Sequence, residues 1–370
     1  MSFGERNWVA RREQSVTDSE HGRVLRPTFS FLTTAYRTED TLPRAIDAVL
    51  LQTRSDWELI VVDNGNSDEI VTVVAPYLSD PRIRLIRQDN RGPTGGVMSA
   101  AEVATGRYLV VLNSDDSVEP DFCDRTGQLL DADPGIAAVT CDAHLFTDPG
   151  EVRLRRSYLQ SAGLRGRPDG SRPLRLAEVI NGPCPYYSAP IRREVWEAMG
   201  GMATDTPAVD DLDFWLRTLA CGHDVRMIPD KLGRFRMAAG SESRPIDPGR
   251  SDTFEEQRER ALIRAAERSN DPADVAALER VLRRARYQQA IRRARVALQR
   301  GNIDEARRHS RLAFRQRKTA RAGAILLGLR LAPSTLMRVQ PVKQRLQKRV
   351  ARRAFQLRLK TYRRELPRDD

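Results

Sequence analysis

The sequence contains few cysteines, few aromatic residues and no long apolar run. Its four cysteines (Cys123, Cys141, Cys184 and Cys221) are far apart in 370 residues, and none forms a C-x-x-C pair. This argues against a disulfide scaffold and a zinc ribbon, and it favours a reducing compartment. No run approaches the roughly 18 apolar residues of a transmembrane helix, and residues 1–26 lack an apolar signal core. We therefore expect neither a membrane span nor a secretory signal.

Charge is unevenly distributed along the chain, whose formal net charge is +12. Residues 251–370 contain 32 Lys and Arg against 13 Asp and Glu, a net charge of +19, whereas residues 1–250 contain 30 against 37, a net charge of −7. An acidic body and a basic tail need separate interpretations. We predict a flexible arm over 1–26, an α/β domain over 27–250 and a helical basic region over 251–370.

Short β-rich runs alternate with helical stretches in the body. Several of these runs are apolar throughout, which is typical of strands covered on both faces, and their alternation with helices predicts a mostly parallel sheet with flanking helices. The predicted strands are Phe29–Thr33, Glu58–Val62, Ile83–Ile86, Tyr108–Leu112 and Ile136–Thr140. Residues 150–176, rich in Arg, Gly and Pro, predict a long irregular loop. In the tail, Gly301 predicts a break between two helices.

Polar clusters follow two of these strands. Asp63 and Asn64 come after the second run, and residues 113–116 (Asn-Ser-Asp-Asp) come after the fourth. Ligands of open α/β sheets bind beyond the carboxyl ends of the strands. Such residues also form ordinary turns, but two clusters at equivalent strand ends favour a shared polar site.

An ordered series of motifs resembles glycosyltransferase family 2, the inverting nucleotide-sugar transferases of the GT-A fold, over about residues 27–245. Each motif is weak alone, but their order is specific. The motifs are Thr34-Ala35-Tyr36-Arg37, Glu58 to Gly65, Asn90-x-Gly92, Leu112 to Asp116 and Asp210 to Arg217. The resemblance implies transfer of a sugar from a nucleotide-diphosphate sugar, with UDP-sugar as the first choice, to a glycan or glycolipid acceptor.

The resemblance also implies the roles of the acidic residues. Asp115 occupies the position of the metal-binding aspartate, with Asp116 beside it, and Mg²⁺ or Mn²⁺ would stabilise the charge on the leaving diphosphate. Asp211 matches the catalytic base, and Asp210 replaces the family's usual Glu. As an alternative, these carboxylates only complement helix N-termini.

Further residues are assigned to the donor and acceptor sides by the same resemblance. Tyr36 offers a stacking surface for the nucleobase, although a core role is an equal alternative. The predicted nucleotide-sugar contacts are Thr34, Tyr36, Asp63, Asn64, Asn90, Asn113, Ser114 and Asp115. The predicted acceptor side consists of Asp213, Trp215 and Arg217, with packing as the alternative for Trp215.

The sequence departs from the family pattern at several positions. Asn64 and Asn113 replace aspartates, and no His follows Arg236, where many members have one that helps to hold the diphosphate. Arg234, Arg236 or the 150–176 loop are candidate replacements. These departures keep two other hypotheses open: a catalytically idle GT-A-like binding or scaffolding protein, and a sugar nucleotidyltransferase.

The basic tail has two competing interpretations. An amphipathic helix predicted from about residue 342 to 363 would suit an anionic membrane surface, or it would be the solvated face of a helical domain. Nucleic acid is not an expected partner, because interleaved aromatic residues and a recognisable nucleic-acid fold are missing from the sequence. We expect a cytoplasmic protein, with peripheral attachment at the inner face of the cell membrane as a further hypothesis.

Overall fold

The computed structural model describes residues 27–147, 152–237 and 248–337. The contacts divide the chain between Leu278 and Glu279 into an α/β unit and a helical unit. The predicted α/β class with a helical C-terminal region is confirmed. The predicted arm over 1–26 and the predicted last helix lie outside the described residues.

Nine strands form one sheet within the described residues. They are β1 Phe29–Ala35, β2 Trp57–Asn64, β3 Ile83–Gln88, β4 Tyr108–Val111, β5 Ser117–Val118, β6 Ile136–Thr147, β7 Val152–Arg153, β8 Pro190–Arg192 and β9 Asp224–Arg236. The five predicted runs correspond to β1, β2, β3, β4 and β6 and are confirmed. The other four strands were missed, and three of them are only two or three residues long.

The sheet has the order β3-β2-β1-β4-β8-β6-β9-β5, and β7 pairs with β6. The first four strands are mutually parallel, so their carboxyl ends lie at one edge. β8 is antiparallel to both of its neighbours, and β9 is parallel to β6 with three register shifts. One shift leaves Pro229 between the paired residues Met227 and Lys231, where its missing N–H breaks no regular ladder.

Helices flank the sheet in the α/β unit. Their bounds are α1 Leu42–Leu50, α2 Asp68–Val74, α3 Gly92–Val103, α4 Phe122–Ala132, α5 Tyr158–Ala162, α6 Leu176–Asn181, α7 Arg193–Ala198, α8 Asp210–Ala220 and α9 Pro248–Ser269, with a 3₁₀ turn at Ala75–Ser79. The loop predicted over 150–176 therefore contains β7 and α5. Ser157 and Gln160 form a capping box that starts α5.

Among the described residues, the helical unit contains most of α10 (Pro272–Gln299) together with α11 (Ile303–Gln316) and α12 (Ala320–Leu331). The predicted break is confirmed: Gly301 has a φ of +76°, which favours glycine, and the side chain of Asn302 caps α11. Small residues let these helices approach closely, with Ala290, Ala313 and Ala322 in one buried cluster. No helix in the described ranges is long and apolar enough to span a membrane.

A buried carboxylate joins the strands at the end of the sheet where β1 and β2 begin. Glu58 Oε1 accepts hydrogen bonds from Ser30 Oγ at 2.7 Å and from the backbone N–H of Gly106 at 3.1 Å. Its Oε2 accepts from Arg84 Nη2 at 2.7 Å. Gly106 is required here, because an added Cβ would lie 2.6 Å from Ser30 Oγ. One side chain thus fixes β1, β2, β3 and the turn before β4.

We expect Glu58→Ala to lower the free energy of unfolding by about 3 kcal/mol, because it leaves the buried Ser30 hydroxyl without its acceptor and removes the carboxylate partner of Arg84. Urea denaturation would measure the loss. The matched control is Glu102→Ala, at an exposed position of α3. Equal stability of the two variants would contradict this role for Glu58.

Candidate active site

Polar side chains meet at the carboxyl edge of the four parallel strands. Ala35 at the end of β1 is in register with Asp63 of β2, and Asn64 is in register with Gln88 at the end of β3. Residues 113–116 follow β4, which pairs with β1. The structure therefore brings both predicted polar clusters to one edge of the sheet.

A cavity of about 340 Å³ opens beside the end of β1. Its lining residues are Tyr36, Arg37, Glu39, Asp63, Gly65, Ser67 and Glu69. Tyr36 is 44% exposed, and an added Cβ on Gly65 would lie only 3.0 Å from its ring. The Arg37 guanidinium lies 5.1 Å from the centroid of the same ring. A partly exposed aromatic ring therefore lies beside the backbone of Gly65 at the mouth of this cavity.

Asp63 and Asn64 mainly organise the loops around this cavity. Asp63 is buried, and its carboxylate accepts from the Ser67 N–H and from Arg87 Nε, both at 3.0 Å. Asn64 Oδ1 accepts from Gln88 Nε2 at 2.8 Å and from a backbone N–H at 3.1 Å. Asn64 Nδ2 donates to the Gly92 carbonyl at 3.0 Å and, at 3.3 Å, to Asn90, which is exposed. Asn64 thus acts through the loop over residues 88–92.

The turn after β4 contains two carboxylates in different environments. Asp115 is 36% exposed at its side chain, and its Oδ2 lies 3.8 Å from Arg236 Nη1. Asp116 is 2% exposed, with Oδ1 accepting from the Arg236 N–H at 2.6 Å and Oδ2 accepting from Tyr187 Oη at 2.5 Å. Burial, reinforced by the charge of Asp115, raises the pKa of Asp116 to about 8. Of the remaining predicted donor contacts, Asn113 is exposed and Ser114 is buried.

These carboxylates can supply only part of a metal site. In the described ranges, no three His, Cys, Asp or Glu side chains form a group suited to a metal ion. Mg²⁺ commonly binds through one or two carboxylates, with substrate phosphates and water completing its shell. Asp115 fits that arrangement because it is accessible, whereas both oxygens of Asp116 are engaged in fixing the turn.

Asp210 and Asp211 form a second acidic group at the first turn of α8. Thr94 Oγ1 donates to Asp210 Oδ2 at 2.7 Å, and the Asp211 N–H donates to Asp210 Oδ1 at 2.9 Å. Loss of solvation by burial, followed by the negative charge of Asp211, raises the pKa of Asp210 to about 7. Burial also raises the pKa of Asp211. Asp210 can therefore hold or accept a proton near neutrality, and its neighbour Asp211 is also a weaker acid than an ordinary aspartate.

The remaining predicted residues of α8 are located in the interior. Asp213 is 1% exposed, and its Oδ2 lies 2.6 Å from Arg217 Nε. Arg217 also donates to the carbonyls of Met199 and Gly201. Trp215 is buried in an edge-to-face contact with Phe214. These contacts favour packing over acceptor binding for Trp215 and let Asp213 and Arg217 hold the turn before α8.

A segment that sequence reasoning missed connects the two acidic groups. Cys184 Sγ lies 4.0 Å from Asp211 Oδ2, and Tyr187 donates to Asp116. Three residues of extended chain span at most about 11 Å, so residues 184–187 bring Asp116 and Asp211 into one region. Thr94 was also missed. No motif marks these residues. The one sequence signal that could have pointed to them is the pair Tyr186-Tyr187, which follows an Arg-rich stretch and is typical of a buried segment.

Residues 30–199 match the family model described as Glycosyl transferase family 2. This part of the chain is a glycosyltransferase family 2 domain. The chain is 41% identical over 107 residues to the succinoglycan biosynthesis protein ExoO of Rhizobium meliloti, covering 29% of this chain and 30% of that protein. It is 30% identical over 112 residues to a chondroitin synthase of Escherichia coli, covering 30% of this chain and 16% of that protein. The chain thus spans less than a third of either relative.

The fold also resembles that of TarS from S. aureus. The structure of TarS residues 1–349 in complex with UDP-GlcNAc aligns with a TM-score of 0.53 and 13% sequence identity. The alignment covers 85% of this chain and 88% of that one. This likeness confirms the predicted GT-A fold.

We expect Tyr187→Phe to lower the free energy of unfolding by about 1–2 kcal/mol, because a buried carboxylate loses its hydroxyl donor. Thermal and urea unfolding would measure the change. Tyr77→Phe, which alters a less buried tyrosine on the 3₁₀ turn, should stay within about 0.5 kcal/mol of the parent protein. If Tyr187→Phe is equally neutral, the hydroxyl does not stabilise the turn.

Proposed function

We propose that this protein is an inverting glycosyltransferase that moves a sugar from a UDP-sugar to a glycan or glycolipid acceptor. The observation that carries the proposal is the pair of acidic groups in a family 2 domain, linked through residues 184–187. The first group presents the accessible carboxylate of Asp115 beside Arg236. The second group consists of Asp210 and Asp211, whose pKa values are both raised. Donor activation and deprotonation of the acceptor need these two different environments.

The cavity beside Tyr36 is the proposed site of the nucleobase and ribose. Its volume of about 340 Å³ lies within the range of small-ligand pockets. The exposed Tyr36 ring offers a stacking face, and nearby Glu39 and Glu69 offer hydrogen-bond acceptors for hydroxyl groups. The UDP-GlcNAc complex of TarS supports a uridine donor, because the two proteins share their fold.

The diphosphate is proposed to lie between Asp115 and Arg236. Mg²⁺ or Mn²⁺ bound at Asp115 would supply positive charge that stabilises the leaving diphosphate. Arg236, whose Nη1 lies 3.8 Å from Asp115 Oδ2, supplies a fixed positive charge on the protein side. We therefore propose Arg236 as the replacement for the family's missing His. Asp116 acts as the anchor of this turn.

Asp211 is the better candidate for the base within the α8 pair. Both oxygens of Asp210 accept short hydrogen bonds, from Thr94 and from the Asp211 N–H. Asp211 Oδ1 accepts from the Leu212 N–H, but Oδ2 has only the distant thiol of Cys184 as a described polar contact. That oxygen can take the acceptor hydroxyl's proton as the hydroxyl attacks the anomeric carbon opposite the diphosphate. Attack from that face inverts the configuration.

The nature of the acceptor and the cellular location are proposed from composition. Residues 279–337 contain 16 Lys and Arg against three Asp and Glu. This charge would suit an anionic acceptor, or an acceptor displayed at the inner face of the cell membrane. A cytoplasmic, peripheral location follows from that interpretation.

Replacing Asp211 with Asn should lower turnover by about 10²–10⁴-fold, the usual contribution of a positioned base. Asp115→Asn should weaken metal-dependent donor binding and turnover. The donor is first chosen from a panel of nucleotide sugars by metal-dependent protection against heat, and its hydrolysis or transfer is then followed. Asp121→Asn, at an exposed position before α4, is the matched control.

Three outcomes would separate the competing functions. Unchanged turnover in both Asp115→Asn and Asp211→Asn contradicts the transferase assignment. Donor protection without hydrolysis or transfer favours an idle binding protein. Consumption of a nucleoside triphosphate with a sugar phosphate favours a nucleotidyltransferase.

The pH dependence of turnover gives an independent test of the α8 pair. The base must be ionised, and burial raises the pKa of Asp211 above the usual aspartate range, so turnover should fall as the pH decreases through that raised pKa. The hydrogen bond from Thr94 stabilises the ionised form of Asp210. Thr94→Val should therefore raise the pKa of Asp210. A neutral Asp210 repels the Asp211 carboxylate less, so the apparent pKa of the rate profile should move downward. Thr72→Val, at an exposed position of α2, is the control. An unchanged profile in Thr94→Val, or the same movement in Thr72→Val, would contradict the coupling of Thr94 to the α8 pair.

A further inference from the structure

The helical unit contains a cavity of about 590 Å³ with a strongly positive wall. Its lining residues are Arg280, Arg283, Arg284, Gln288 and Arg317. All five belong to the helical unit, and none is acidic. The family motifs and the proposed active site do not involve any of them.

One wall of the cavity is a face of α10. Arg280, Arg284 and Gln288 recur at four-residue spacing, and Arg283 lies next to them at the i+3 position, so their side chains share a face. Like charges at this spacing repel each other and destabilise the helix. Glu279 lies 3.3 Å from Arg283, but both side chains are exposed, and such surface pairs offset little of that repulsion.

The opposite wall is fixed by the connection between α11 and α12. The Arg317 guanidinium lies 5.7 Å from the centroid of the Tyr287 ring on α10. The Tyr287 hydroxyl is 3.0 Å from Thr319 Oγ1, which in turn caps α12. Tyr287 belongs to a buried cluster with Ala290 and Ala313. Arg317 is thereby presented to the face of α10 by packed side chains.

We propose that this cavity binds a compact phosphorylated ligand through its phosphate oxygens. Guanidinium groups match the geometry of phosphate and bind it with two parallel hydrogen bonds. Several of them around a concave surface concentrate positive potential, so a bound phosphate relieves their mutual repulsion. The volume exceeds that of one phosphate, which leaves room for a second phosphate or an attached sugar. The arginines come from two different elements, α10 and the α11–α12 connection, which favours a group held between them over a flat bilayer surface.

Phosphate binding at this cavity can be measured on the full chain, independently of transferase activity. Inorganic pyrophosphate is titrated calorimetrically with EDTA present and at constant ionic strength, which removes metal-dependent binding near Asp115. The double variant Arg284→Ala/Arg317→Ala should weaken pyrophosphate binding by about tenfold or more. The control Arg311→Ala/Arg315→Ala removes the same charge from exposed positions of α11 and should bind like the parent protein.

The two double variants distinguish a specific site from a general effect of charge. Equal weakening in both double variants shows a general charge effect and overturns it, as does unchanged binding in Arg284→Ala/Arg317→Ala. Phosphatidylglycerol vesicles provide a second arm: loss of vesicle binding with unchanged pyrophosphate binding would assign these arginines to a bilayer surface instead. Circular dichroism checks folding. The single variant Arg284→Ala keeps the Arg317–Tyr287 contact and must weaken binding in the same direction.

Discussion

The candidate active site depends on one buried carboxylate. Asp116 accepts hydrogen bonds from the Tyr187 hydroxyl and from the backbone of Arg236, and so joins the turn after β4 to the segment before β8 and to the end of β9. These three segments are far apart in the sequence. Because a buried carboxyl group is costly to leave without hydrogen-bond partners, both partners must be in place. The position of Asp115, and of the arginine opposite it, follows from that requirement.

The sheet edge was predictable because it depends on local patterns. Apolar runs marked β1, β2, β3, β4 and β6, and the rule that ligands bind beyond strand ends located the polar residues. β9 was not predictable, because its regular alternation is interrupted around Pro229 and its pairing with β6 includes register shifts. The contacts of Thr94 and Tyr187 were also hidden, since hydrogen bonds over 116 and 71 residues of separation leave no local pattern.

The roles within the motifs were less predictable than their positions. Adjacent aspartates look equivalent in a sequence, but Asp115 is accessible and Asp116 is an anchor. Trp215 and Arg217 follow Asp211 closely, yet the rotation of 100° per residue along α8 turns them toward the interior. The net charge of the chain was similarly divided: the α/β body supplies acidic groups to the site, while the arginines of α10 surround a separate cavity.

The four hydrogen bonds of Asn64 bear on how this domain can change. The amide donates to one carbonyl and one side-chain oxygen while accepting from two N–H groups. A carboxylate has no proton to donate at neutral pH, so the aspartate usual in the family at this position would face the Gly92 carbonyl without a hydrogen bond. The residue at position 64 and the loop over 88–92 are therefore coupled, and a change in one requires a matching change in the other. Grafting the motif of another family member into β2 would require the matching loop from the same donor protein.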